Sequence, residues 1–165
     1  MSFLKKMFSK NKEYTEKVTS QSLPAELKLE ELTDGETNYI NTNIALANKT
    51  LKDLGLKQDE DLFDPTRIEQ AIKAWFQNDL QAKLEIDVNS YSNSLAAGWG
   101  KYLEEKLGMT WQVITDEFGT EIGLYHKQNH VTLFPFNLTA KAFNKKDFGL
   151  LSVVTDKTKK VINDR

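Results

Sequence analysis

The sequence predicts an α+β domain: an N-terminal helical hairpin, a third helix packed on a small three-stranded antiparallel sheet, and C-terminal helices. Three observations predict it. Apolar residues recur at helical spacing between capping signals from Thr33 to Leu107. After Gly108 the pattern alternates residue by residue, as half-buried strands do. Helical spacing returns beyond Pro135.

The first helix opens at Thr33-Asp34-Gly35-Glu36, where the Thr33 hydroxyl can accept the Glu36 amide and the Glu36 side chain can reach back. Ile40, Ile44, Ala47, Leu51 and Leu54 form its apolar stripe, and Gly55 stops it. An acidic loop, Gly55 to Leu62, leads to Asp64 as N-cap and Pro65 at the first helical position of the second helix. Its stripe is Ile68, Ile72, Trp75, Phe76 and Leu80, so the two helices are expected to face each other. The third helix runs from Val88 to Leu107 and stops at Gly108. Ala96, Ala97, Gly98 and Gly100 give it a smooth face, against which another backbone is expected to pack closely.

The first strand, Thr110–Asp116, places Trp111 and Val113 on one side, and Thr120–His126 places Ile122 and Leu124 likewise. Asp116-Glu117-Phe118-Gly119 is the turn between them. Val131–Phe134 reads as the third strand, and Pro135 ends its pairing. Leu138–Phe143 and Phe148–Val161 then read as helices, with Lys157, Lys159 and Lys160 at the negative end of the second.

The 165 residues suit about one domain. Residues 1–24 read as a basic amphipathic tail and polar linker, and residues 25–165 as a single α+β domain. In the tail, Phe3, Leu4, Met7 and Phe8 share one side of a short helical pattern with lysines around the rest, which suits weak peripheral membrane contact. No run approaches the roughly 18 apolar residues of a spanning helix, and the start lacks the uninterrupted apolar stretch of a signal peptide, so a cytoplasmic address is expected.

Composition excludes much chemistry. With no cysteine there is no disulfide, thiolate metal site, iron–sulfur cluster or cysteine nucleophile. A net charge of -2 argues against a nucleic-acid partner, which calls for a strong positive field. That total conceals an acidic middle: residues 19–87 carry -7, against +3 before and +2 after.

The remaining motifs are incomplete. His126 and His130 have a spacing that would suit zinc on a helix, but they flank a turn, so no metal is expected. Asp59 to Asp64 lacks the glycine and terminal glutamate of a calcium loop. Gly98-Trp99-Gly100-Lys101 lacks the long inter-glycine gap of a phosphate loop, and no nucleophile elbow is present. Glu104/Glu105 and Asp116/Glu117 are adjacent acids of the kind usual on solvated faces. No cofactor and no catalytic residue is assigned.

Aromatic residues are the strongest remaining clue. Trp75, Trp99 and Trp111 are expected in the core, whereas Phe118, Phe134 and Phe136 lie near the turn and strand end where an exposed binding patch could form.

The run Gly98-Trp99-Gly100-Lys101-Tyr102-Leu103-Glu104-Glu105, then Gly108, Trp111-Gln112-Val113, Asp116-Glu117-Phe118-Gly119 and Phe134-Pro135-Phe136, resembles an uncharacterised bacterial family known only as a domain of unknown function. The resemblance covers Ser90 to Leu151. It implies a helix on a small antiparallel sheet and transfers no active site. After the proline, where such domains often carry a basic pair, this chain has Lys141 between two alanines.

Two functional readings follow. One is a non-catalytic bacterial interaction domain, of accessory or immunity type, holding a protein partner through the acidic helical half or a hairpin-edge patch. The other is a small-molecule-binding or hydrolytic domain with a pocket between helix 88–107 and the sheet, using Glu104, Asp116 or His126.

Overall fold

The computed structural model describes residues 27–59, 61–77 and 80–164. The tail and linker read at residues 1–24, with the membrane-contact residues Phe3, Leu4, Met7 and Phe8, lie outside the described residues. Chain order is β1 (Lys28–Glu30), α1 (Asp34–Asp53), α2 (Pro65–Gln77), α3 (Leu80–Leu84), α4 (Val88–Leu107), β2 (Thr110–Asp116), β3 (Gly119–His126), β4 (Val131–Leu133), α5 (Pro135–Lys145) and α6 (Leu150–Asn163). The class is α+β.

The capping signals work as their chemistry requires. The Glu36 amide donates to Thr33 Oγ1 at 3.3 Å, while the Thr33 amide donates to Glu36 Oε2 at 2.8 Å. At the other end of α1, Gly55 adopts φ +74°, and the amides of Gly55 and Leu56 return to the carbonyls of Lys52 and Leu51. That closes a Schellman motif. Asp64 Oδ1 accepts from the amides of Thr66 (2.8 Å) and Arg67 (3.1 Å), opening α2. Asp87 Oδ1 does the same for Asn89 and Ser90 at the start of α4.

Among the described residues the sheet has four antiparallel strands in the order β1-β2-β3-β4, one more than expected. The missed strand pairs Leu29 with Ile114. Only three residues long, with one apolar residue between Lys28 and Glu30, it carries too little alternation to be read from sequence. Across β2 and β3, Trp111 pairs with Leu124 and Val113 with Ile122, which sets those apolar residues on one face as expected. β4 ends at Leu133, one residue before the expected Phe134.

Helix α4 is the hub. Ten consecutive residues, Tyr91 to Gly100, are buried, and α1, α2, α5 and α6 all pack against it. The α1 stripe therefore finds its main partner in α4, while α2 divides its packing between α4 and α6, so the two N-terminal helices pack on the hub and not, as expected, chiefly on each other. Its smooth face receives side-chain rings: a Cβ on Gly100 would lie 2.1 Å from Trp111 Cζ2, and one on Gly98 would lie 2.8 Å from Phe63 Cδ1. The small residues make room mainly for aromatic rings. On the α1 side the Ala47 methyl is also near, 3.3 Å from that Gly98 position.

Three side chains from elsewhere in the chain, Trp99, Glu69 and Asn129, tie α6 into place. Trp99 Nε1 donates to Thr155 Oγ1 at 3.0 Å. Gly149, at the N-cap of α6, makes no side-chain cap bond. Glu69 of α2 supplies the cap, accepting from the Ser152 amide at 2.9 Å and the Ser152 hydroxyl at 2.6 Å. At the far end, Asn129 Nδ2 donates to Val161 O at 3.2 Å.

Candidate functional site

The hairpin between β2 and β3 is built by its own side chains. Asp116 Oδ1 accepts from the amides of Phe118 (2.8 Å) and Gly119 (3.2 Å), while Thr115 and Thr120 hydroxyls meet at 2.9 Å just below. Gly119 has φ +139°, a backbone suited to glycine. This turn holds Phe118 at 43% exposure.

The other aromatic candidates lie deeper. Phe136 is 3% exposed and sits between Trp111 (5.9 Å between ring centres) and Tyr39 (5.7 Å). Phe134 is half-buried, its ring edge 3.0 Å from the Cβ position of Gly123.

The titratable candidates are dispersed. Asp116 is engaged at the hairpin tip, whereas His126 closes the opposite end of β3. His126 is 6% exposed, and its Nδ1 accepts the Asn129 amide at 3.3 Å, so it braces the turn that carries Asn129 to α6. His130 meets the Tyr125 hydroxyl at 2.7 Å, and burial raises the Tyr125 pKa. Glu104 lies at the exposed side of α4; partial burial of its carboxyl raises its pKa, with Lys101 opposing and Glu105 adding to the shift. Among the described residues no group of three or more His, Asp or Glu is arranged to hold a metal ion. The space between α4 and the sheet, where a pocket was expected, is occupied at Gly100 by the Trp111 indole.

Several acids of the acidic middle are paired within the chain. Arg67 takes Asp59 with two nitrogens and approaches Asp64 with Nε at 3.4 Å. Lys106 pairs with Asp61 at 3.0 Å, and Lys49 with Asp53 at 2.6 Å. The Arg67 contact holds the Asp59 carboxyl well below the usual carboxylate range.

Beside this network lies a polar cleft of about 560 Å³. The start of α2 contributes Thr66, Arg67 and Gln70; α4 contributes Tyr102; α6 contributes Ser152, Thr155, Asp156 and Lys159. Sequence reasoning missed it, because the residues come from three helices far apart in the chain and form no local motif.

The helix–sheet core has relatives. Residues 74–151 match the family model of a domain of unknown function, DUF3806. The match runs from the end of α2 to the start of α6 and ends at Leu151, where the expected resemblance also ends. A 1.50 Å crystal structure of a Bacteroides thetaiotaomicron protein is similar to the chain with a TM-score of 0.59 and 14% identity, over 85% of this chain. The chain spans 48% of that protein's length, and the likeness is one of fold. No curated protein matches.

Proposed function

We propose that this chain is a non-catalytic bacterial interaction domain, of accessory or immunity type, that holds a protein partner in the cytoplasm through its β2–β3 hairpin tip. The observation that carries this reading is Phe118: a large ring, 43% exposed, on a turn fixed by the Asp116 carboxylate and the Thr115–Thr120 bond. A rigid aromatic side chain offers contact area at little cost in ordering, which is why such residues are enriched at interfaces. The acidic helical half is a poorer docking surface, since Asp53, Asp59, Asp61 and Asp64 already face cations of the same chain.

Capture from native lysate tests this, with soluble and membrane fractions kept separate and washes at low and high salt. The tagged chain should retain a stoichiometric partner through the high-salt wash, and Phe118→Asp should lose it while its thermal unfolding stays unchanged. Equal capture by Phe118→Asp overturns the hairpin assignment; a partner shed at high salt returns the contact to charged surface.

A further inference from the structure

We propose that the cleft between α2, α4 and α6 binds a small neutral polyhydroxylated ligand, of the class of mono- and disaccharides. Its walls are fixed before any ligand arrives. The Glu69–Ser152 bonds join α2 to α6, the Trp99–Thr155 bond joins α4 to α6, and Arg67 ties the rim loop to α2. A volume of about 560 Å³ lies within the usual range for small-molecule sites.

Charge and hydrogen-bonding capacity indicate the ligand class. Asp59, Asp61 and Asp64 are matched by Lys57, Lys106 and Arg67, three acids by three cations, which leaves Asp156 and Lys159. Neither of these two takes part in an ion pair or side-chain hydrogen bond among the described residues. They lie three residues apart on one helix, and so on one face of it. One is an acceptor only and the other a donor only, and their charges cancel, so neither an anion nor a cation gains a net attraction. Thr66 and Gln70 add groups that both donate and accept, and the Ser152 hydroxyl, its proton held by Glu69, can still accept. A sugar hydroxyl also does both, so a ring bearing several can satisfy all of these groups together. Tyr102, half-buried against the core, completes the lining on the α4 side.

Saturation-transfer NMR with glucose, galactose, maltose and cellobiose, against phosphate and glutamate as charged comparators, reads this out on the full chain. At least one sugar should bind more tightly than either comparator. Asp156→Asn and Lys159→Ala should each weaken it about tenfold. Both positions are exposed on α6, so thermal unfolding of these variants should match the parent. Phe118→Asp should leave sugar binding intact, which separates this site from the hairpin. No binding by any of the four sugars, tighter binding of phosphate or glutamate, or sugar binding indifferent to both cleft variants overturns the proposal.

Discussion

At the scale of single residues, glycine positions divide sharply by what surrounds them. The Trp111 ring lies where a Gly100 methyl would go, 2.1 Å from one ring carbon, so Gly100→Ala must displace a buried indole. We expect a loss of about 1–3 kcal/mol, the usual cost of overpacking a tight core, measured by urea unfolding. Gly35 is the control. Its nearest neighbour on the same criterion is Thr33 Oγ1 at 3.9 Å, so Gly35→Ala should be neutral or stabilise by up to about 1 kcal/mol. Tyr91 carries a different constraint. Its hydroxyl donates to Ala71 O at 2.7 Å, and burial holds its pKa far above the ordinary phenol value.

At the scale of elements, α6 depends on side chains from elsewhere for its ends. Glu69 is 6% exposed and satisfies both the amide and the hydroxyl of Ser152, so Glu69→Ala leaves two donors without their acceptor. The expected loss is about 1.5–3 kcal/mol, the range for hydrogen bonds to a charged group. Hydrogen exchange should show faster opening at the start of α6 before the rest of the molecule is affected. Much of this level was legible in sequence. Thr33, Asp64 and Gly108 announced helix ends because capping is a local interaction written within four residues. The pairing of Trp111 with Leu124 followed from alternation around a short turn. What escaped notice was non-local. Glu69 looks like an ordinary surface acid until a helix more than eighty residues later needs a cap. The burial of Phe136 and His126 escaped for the same reason: their neighbours Tyr39, Trp111 and Gly108 are assembled by packing.

At the scale of the whole molecule, the two ends of the pH range should each report a named group. Arg67 depresses the folded pKa of Asp59 below its unfolded value near 3.9. The charged carboxylate therefore contributes its stability above about pH 4, and that contribution is lost as pH falls toward the lowered folded value. Asp59→Asn should flatten the acid side of the stability profile. For Tyr91 the sign reverses: its folded pKa is raised, so its contribution is complete below the unfolded value of about 10 and is lost as pH rises through the folded value. Tyr91→Phe should lose about 1 kcal/mol at neutral pH and show a shallower alkaline decline. Thermal unfolding of both variants from pH 2.5 to pH 11, roughly the span between these groups, checks both signs.

The position of α4 at the hub also sets a schedule for synthesis. Its coverings are drawn from both sides of it in the chain: α1 and α2 emerge from the ribosome earlier, α5 and α6 later. Trp99 cannot reach Thr155 until α6 has left the exit tunnel, so the nascent chain holds its central helix half-clothed until α6 arrives. A ribosome stalled before α6 would hold a chain whose central helix still lacks the cover that α6 provides, with Trp99 Nε1 left without the Thr155 hydroxyl.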